Sequence, residues 1–180
     1  MPIQIRRLDA TTLRAARTAG MIGTLLVLTA CASPADIAVG TAQADIYARF
    51  GLPTHTCPLP DGGQRQIWSQ QPNGQYAWAL ETNASGTVQS NEPVLTDASF
   101  QRLATGRWTP EQVVCAFGPP AEIGEVGLPS VRQTVWSYRY RQDHVWNSLM
   151  YVYFGNGDTV TRFHPGPDPR YEVKDGSWLR

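Results

Sequence analysis

The sequence predicts an α+β fold built from two tandem units, each a helix followed by an antiparallel sheet, after an amino-terminal signal peptide. Two observations predict it: the same order of patterns occurs twice, and each occurrence joins one helical pattern to alternating, strand-like aromatic segments. Because three strands alone are only marginally stable, we expect both units to pack together as one body. The predicted segments are a signal peptide (1–30), a lipidated tether (31–40), a first repeat (41–95), a second repeat (96–163) and an extended proline-rich tail (164–180).

Residues 1–30 have the layout of a secretory signal, in which arginines precede a short apolar run that ends in small residues. The run is too short to span a bilayer as a stable helix. Four of the 15 basic residues but only one of the 15 acidic residues lie in this segment, so the remaining chain is mildly acidic. Such a chain lacks the positive field that gathers phosphate backbones, and we therefore expect no nucleic-acid partner.

The apolar run ends in Leu28-Thr29-Ala30-Cys31, which resembles the lipobox of bacterial lipoproteins. The resemblance implies cleavage just before Cys31 and acylation of its sulfur. The next residue is Ala32. An aspartate in this position would resemble a signal for retention in the inner membrane, so the expected location is the periplasmic side of the outer membrane. Each acyl methylene buried in the bilayer adds about 0.8 kcal/mol to the free energy of membrane binding. The lipid chains can therefore hold the protein at the membrane without a transmembrane helix. The alternative is a plain signal peptide cut near Ala30 or Ala32, with Cys31 incidental.

Two helical patterns, within 42–53 and 109–120, both end in Phe-Gly-x-Pro. Thr109 is a candidate N-cap, and the proline after it suits the first turn of a helix. Gly51 and Gly118 stand where a left-handed C-cap is favoured, and the following prolines forbid continuation. Each pattern therefore predicts a helix that ends at its glycine.

After each helix the sequence predicts a loop, an aromatic strand, a second strand completing a hairpin, and a turn into a third strand. Trp136, Tyr138 and Tyr140 alternate and should share one face. The predicted strands are 66–68, 76–80, 135–140 and 149–154, with Thr87-Val88 and Thr159-Val160 opening the third strand of each unit.

The segments between and beside the repeats are predicted from their capping residues and prolines. Thr96 caps a short helix that runs to Leu103 and ends at Gly106, whereas the leading helix of the first repeat is shortened or absent. The small residues 32–35 predict a mobile tether. The proline-rich run 164–169 is predicted to be neither helix nor strand interior, and so an extended tail.

The order of these motifs resembles that of the SmpA/OmlA family of BamE-type outer-membrane lipoproteins. The motifs are a helix, Phe-Gly-x-Pro, a Trp-x-Tyr strand, an apolar strand ending in Phe, a glycine-containing turn and Val. The likeness covers most of 36–163, twice over, and is strongest over 109–160. The chain departs from the family in its Gly157-Asp158 turn, which the family more often reverses, and in carrying two copies. The family shares its fold with the β-lactamase inhibitor proteins, which carry it in tandem.

The resemblance implies a BamE-like paralogue, a binding module that docks another envelope protein and supports outer-membrane protein assembly or envelope integrity. The alternative is an inhibitor of a periplasmic hydrolase, suggested by the tandem fold.

Catalytic signatures do not occur in the sequence: it has no Gly-x-Ser-x-Gly, His-Glu-x-x-His, Cys-x-x-Cys or phosphate-cradling glycine loop. We therefore expect no enzymatic activity and no cofactor. His55, His144 and His164 are expected to be exposed or hydrogen-bonded, with a three-histidine metal site as the alternative. Asp143 and His144 are predicted to form a hairpin loop.

Cys57 and Cys115 remain once Cys31 is set aside, and an oxidising periplasm permits their pairing. The sequence leaves open whether they form a disulfide or whether Cys115 is a small core residue. Among the tryptophans, Trp108 and Trp178 are expected to be more exposed than those in the strands, and partial burial against a neighbouring loop is favoured for each. The tryptophans within strand patterns, predicted to be core, are Trp68, Trp78, Trp136 and Trp146.

Overall fold

The computed structural model describes residues 32–155 and 158–172, and from Ser33 onward they belong to one compact unit. The predicted signal peptide, Cys31 and Trp178 lie outside the described residues. No helix within the described ranges is long and apolar enough to cross a membrane.

The predicted α+β class is confirmed, because helices accompany two four-stranded antiparallel sheets, β1-β2-β3-β4 and β5-β6-β7-β8. The helices are α1 (Gln43–Phe50), α2 (Asp97–Phe100) and α3 (Pro110–Phe117). The strands are β1 (His55–Pro58), β2 (Gln64–Ser69), β3 (Ala77–Thr82), β4 (Val88–Pro93), β5 (Glu122–Val126), β6 (Gln133–Gln142), β7 (Trp146–Phe154) and β8 (Val160–Pro167). Short 3-10 turns lie at Pro34–Asp36, Gln101–Ala104 and Pro129–Val131.

Helices α1 and α3 end at the predicted residues, whereas the helix predicted from Thr96 to Leu103 is α-helical only to Phe100 and continues as the 3-10 turn Gln101–Ala104. Thr109 and Gln112 form a reciprocal capping box at the start of α3. Gly118 ends the helix with a φ of 83°. A side chain at Gly118 would also bring its Cβ to 2.8 Å from Ile67, so both the backbone conformation and the space require glycine here.

An aromatic side chain of the second strand holds the helix end in both units. Trp68 Nε1 donates to the Gly51 carbonyl at 3.3 Å, and the Tyr138 hydroxyl donates to the Gly118 carbonyl at 3.1 Å. The two units therefore repeat a specific contact as well as an order of elements.

The last hairpin of each unit is also built in the same way. The Asn83 amide donates to the Thr87 carbonyl, and the Gly155 amide donates to the Thr159 carbonyl, both at 3.0 Å. Just before each turn the strand register shifts, at 81–82 and at 153–154. These matching irregularities indicate a structural duplication and fix which residues of the two sheets correspond.

Each unit has one strand more than the sequence predicts. Residues 55–58 and 122–126, which follow the helix ends and were expected in loops, form the edge strands β1 and β5. All five residues of β5 are exposed, so this strand lacks the apolar alternation that would have predicted it.

The predicted tail boundary at 164 is wrong, because β8 continues to Pro167 alongside β7. Prolines are compatible with this strand since it lies at the sheet edge, where one row of backbone amides has no strand partner. Pro165 and Pro167 are two residues apart, so their nitrogens lie on the same side of the strand.

The predicted tether at 31–40 is also corrected, because its described residues from Ser33 onward lie on the first sheet. The Asn91 side chain donates to the carbonyls of Pro34 at 2.9 Å and Ile37 at 3.0 Å, and Ile37 is buried. A three-residue 3-10 turn therefore occupies the place of the leading helix that the sequence predicts to be shortened. The small residues predicted a mobile segment, but the Asn91 side chain, 54 or more positions along the chain, holds the segment on the sheet.

Two hydrophobic clusters cover both faces of the first sheet. The smaller cluster lies between α1 and one face of that sheet, and contains Ile37, Ile46, Trp68, Leu80 and Val88. The larger cluster joins the opposite face to α2, α3 and the second sheet, and includes Ile67, Ala79, Phe100, Val113, Phe117, Tyr138, Tyr140 and Val152. The shared larger cluster makes the two units one body, as predicted.

The buried tyrosines of the larger cluster predict a loss of stability at high pH. Burial raises the pKa of Tyr138, and burial together with the Asp97 carboxylate raises the pKa of Tyr140. The unfolded chain releases both protons above about pH 10 while the folded chain retains them, so stability is full below that pH and falls above it. We expect the free energy of unfolding to drop by up to about 2.7 kcal/mol per pH unit, measured by urea unfolding between about pH 8 and 11.5. An unchanged pH dependence in Tyr138→Phe/Tyr140→Phe would contradict this origin.

Candidate binding surface

The second sheet has an outer face that is turned away from the larger cluster. Trp136, Tyr138 and Tyr140 share the inner face, as predicted, so the residues between them point outward. The strand register then places on the outer face Val135, Ser137, Arg139, Leu149, Tyr151, Tyr153, Arg162, His164 and Gly166.

Four of these residues form an ordered group, called here the aromatic strip: Tyr151, Tyr153, Arg162 and His164. The His164 ring lies 5.5 Å from the Tyr151 ring and 5.4 Å from the Tyr153 ring, centroid to centroid, and its Nε2 is 2.9 Å from the Tyr153 hydroxyl. The Arg162 guanidinium lies 3.7 Å from the centroid of the Tyr153 ring, in a cation–π contact. Burial is also the main cause that raises the pKa of Tyr151. The strip is thus held in place by its own contacts.

The corresponding face of the first sheet is covered. Ala79 stands two residues before the register shift of β3, as Tyr151 does before that of β7. Ala79 lies in the larger cluster with Val113 and Phe117 of α3. The four strip residues belong to neither cluster, and Arg162 and His164 are exposed. The duplication therefore leaves one sheet face covered by a helix. On its counterpart Arg162 and His164 are exposed, Tyr151 is half-buried, and Tyr153 is buried beneath the Arg162 guanidinium.

Beside the strip, a buried arginine ties the two units and the end of β8 together. Arg139 is 3% exposed and pairs with Asp168 and Glu122, while its Nε donates to the Pro72 carbonyl at 2.9 Å. Its backbone amide donates to Gln71 Oε1 at 3.2 Å, and its carbonyl accepts from Gln71 Nε2 at 2.8 Å. The loop after β2 is therefore docked on the edge of β6.

Cys57 and Cys115 form a disulfide, which settles the pairing that the sequence left open. Their Cα atoms are 5.9 Å apart, within the usual range. Cys57 lies on β1 and Cys115 on α3, so the bond links the first sheet to the helix of the second repeat.

The three histidines lie in three separate places. His55 is on β1 beside the disulfide, His144 is in the predicted hairpin loop with a φ of 59°, and His164 belongs to the strip. Among the described residues, the one group of three or more metal-ligating side chains is His55, Cys57 and Cys115. The three-histidine alternative therefore has no support from the described part of the chain.

One tryptophan prediction is wrong. Trp146, predicted to be core, is 66% exposed because it opens β7 directly after the hairpin turn, at the end of the sheet. Trp108, for which partial burial is the favoured prediction, is half-buried against the larger cluster, and its Nε1 donates to the Thr105 carbonyl at 2.9 Å.

Sequence reasoning missed the aromatic strip, although one signal was present. In β7 the outward residues Leu149, Tyr151 and Tyr153 alternate with the equally apolar inward residues of the strand. A strand that is apolar on both faces is typical of a sheet covered on both sides. On the outward side of β7 Leu149 and Tyr153 are buried and Tyr151 is half-buried, so this pattern marks the base of the strip, above which Arg162 and His164 are exposed.

No family model matches the chain, and no curated protein sequence matches it. The chain is similar to the crystal structure of a DUF4309 family protein (YjgB) from Bacillus subtilis, at 16% sequence identity over 71% of this chain and 79% of that chain, with a TM-score of 0.28. So loose a likeness carries no argument about function, which must come from the residues themselves.

Proposed function

We propose that this chain is a lipid-anchored, periplasm-facing protein-binding module of the outer membrane, a BamE-like member of the SmpA/OmlA type that supports outer-membrane protein assembly or envelope integrity. The observation that carries the proposal is the aromatic strip, whose Arg162 and His164 are exposed beside the half-buried Tyr151, on a sheet whose counterpart is covered by α3. Aromatic and arginine side chains are the residues that most often dominate the energy of protein interfaces.

The disulfide supports a location outside the cytoplasm, because such bonds persist in oxidising compartments such as the periplasm. The lipobox-like tetrad ending at Cys31 supplies the anchor in this proposal.

The charge around the strip indicates the chemistry of the partner. Arg162 and His164 are exposed there, whereas the neighbouring carboxylates of Glu122 and Asp168 are already paired with Arg139. A complementary partner is an envelope protein segment that lays aliphatic side chains on Tyr151 and places an acidic side chain at Arg162. An exposed ion pair of this kind makes binding weaker at high salt.

Reversing the charge of the strip should reduce partner binding. Arg162→Glu both removes the cation–π contact with Tyr153 and repels an acidic partner, so we expect at least a tenfold loss of affinity, or about 1.4 kcal/mol. The measurement is capture of a barrel-assembly or other envelope component from detergent extracts, followed by titration of the purified component.

The matched control is Arg49→Glu, the same charge reversal at an exposed position of α1. It should bind like the parent chain. Equal capture by Arg162→Glu and the parent would contradict the role of the strip. Failure to capture any envelope component, with normal outer-membrane protein levels in a deletion strain, would overturn the proposed function itself.

Metabolic labelling with an alkyne fatty acid tests the anchor. The parent chain should incorporate the label and fractionate with the outer membrane, and Cys31→Ala should do neither, because the acylated thiol is absent. An unlabelled parent chain found in the soluble periplasm would instead indicate a plain signal peptide.

A further inference from the structure

The disulfide has a potential metal ligand beside it. Residues 55 and 57 are two positions apart on β1 and so lie on one face of the strand, the face that meets α3 and Cys115. The imidazole nitrogen of His55 and the two sulfurs all lie within 4.8 Å of one another. While the sulfurs are bonded to each other they offer no thiolate.

We propose that the reduced chain binds one Zn²⁺ ion through the thiolates of Cys57 and Cys115 and the imidazole of His55. The disulfide and the metal would then be alternative cross-links between β1 and α3. Two thiolates and one imidazole are a ligand set that Zn²⁺ favours, and three protein ligands leave a fourth position for water. This inference does not rest on the proposed function.

The chemistry balances with a dithiol reductant. The dithiol gives two electrons and two protons to the Cys57–Cys115 bond, which opens to two thiols, and the reductant becomes a disulfide. Zn²⁺ then replaces both thiol protons, which pass to solvent, and the two thiolates neutralise the charge of the ion.

The three ligand side chains need to move only a short way to bind one Zn²⁺ ion. With Zn–S bonds of about 2.3 Å and Zn–N bonds of about 2.0 Å, the ligand atoms of a tetrahedral site lie roughly 3.3–3.8 Å apart. The three atoms already lie within 4.8 Å, and the Cα atoms of the cysteines are 5.9 Å apart. On reduction the two sulfurs move apart from bonding distance to about 3.8 Å. Side-chain rotation is enough for this, because cysteine Cα atoms 5.9 Å apart suit both cross-links. The backbones stay in place through the pairing of β1 with β2 and the buried Val113 and Phe117 of α3.

An ion can also reach the site. Cys115 borders a cavity of about 490 Å³ that is also lined by Arg65 and Glu81, and His55 is only half-buried. Arg65 donates to the Cys115 carbonyl at 2.9 Å, which places a cation nearby. That charge is already balanced, because Arg65 pairs with Glu81 at 2.8 Å and Glu92 at 2.7 Å.

Cobalt is a suitable probe because its thiolate complexes absorb in the near ultraviolet. The full chain carrying Cys31→Ser, which leaves only these two thiols, is reduced with a phosphine and titrated with Co²⁺ and then Zn²⁺. We expect a thiolate-to-cobalt charge-transfer band that saturates at one ion per chain and disappears on adding Zn²⁺. The oxidised chain should give no band.

His55→Ala should weaken binding at least tenfold, because one of three ligands is lost, whereas His144→Ala in the distant hairpin loop should bind like the parent. Near-ultraviolet circular dichroism of the tryptophans monitors the fold in the same samples. Absence of the band in the reduced parent, equal affinity of His55→Ala, or a lost tertiary signal that Zn²⁺ does not restore would each overturn the proposal.

Discussion

Replacing Cys57 and Cys115 by serine is expected to lower the free energy of unfolding by about 4 kcal/mol, the loop-closure value for cysteines 58 residues apart. The bond removes conformational freedom from the unfolded chain, and the freedom removed increases with the length of the loop that it closes. Here the loop contains all of β2, β3, β4 and α2, so the constraint acts on both units. Urea unfolding of the purified variants measures the change.

The single substitutions provide an internal control. Because either one breaks the bond, Cys57→Ser and Cys115→Ser should each cost about as much as the double variant, instead of half as much. Chemical reduction of the parent chain, in buffer free of divalent metals, should give the same loss. A double variant within about 1 kcal/mol of the parent would contradict the entropic origin of the effect.

Helix ends and hairpin turns could be predicted because their determinants are local. The capping box of Thr109, the positive φ of Gly118 and the turn at Asp143 and His144 each depend on residues within four positions. The same applies to the order of elements in the two repeats. These features need no knowledge of what packs where.

The edge strands and the described part of the tether could not be predicted, because residues outside these segments determine them. β5 forms by pairing with β6, although its own residues are all exposed. Residues 34–37 are fixed by the side chain of Asn91. Local composition suggested loops and mobility in both places, and tertiary contacts overrode it.

The candidate site was hidden for a related reason. Alternation in β6 and β7 predicts that these strands have two faces, but only the packing of α3 decides which sheet face is covered. The sequence likewise cannot give the distance between Cys57 and Cys115, nor bring His55 to them, because β1 was itself not predicted.

Arg139→Met is expected to destabilise the fold by about 3–5 kcal/mol, the usual cost of removing one partner from a buried ion pair. The Arg139 side chain is 4% exposed and that of Asp168 is fully buried, so the variant leaves a carboxylate inside the protein without its cation. The Pro72 carbonyl also loses the shorter of its two hydrogen bonds and keeps only the one from Arg170 at 3.4 Å. Arg139→Lys should recover only part of this loss, because one ammonium cannot reproduce the fork that reaches Asp168, Glu122 and Pro72 together.

Variants at an exposed arginine and at both members of the buried pair show whether the loss in Arg139→Met comes from burial of an unpaired charge. Arg132→Met removes an exposed arginine that pairs with Glu125 at 3.1 Å, and should cost less than about 1 kcal/mol because solvent screens exposed pairs. Removing both buried charges, in Arg139→Met/Asp168→Leu, should be less harmful than Arg139→Met alone, since no unpaired carboxylate remains. If the double variant instead lost as much as the two single variants combined, the pair would not act as a unit. Arg139 would then stabilise the fold mainly through its bonds to the loop after β2.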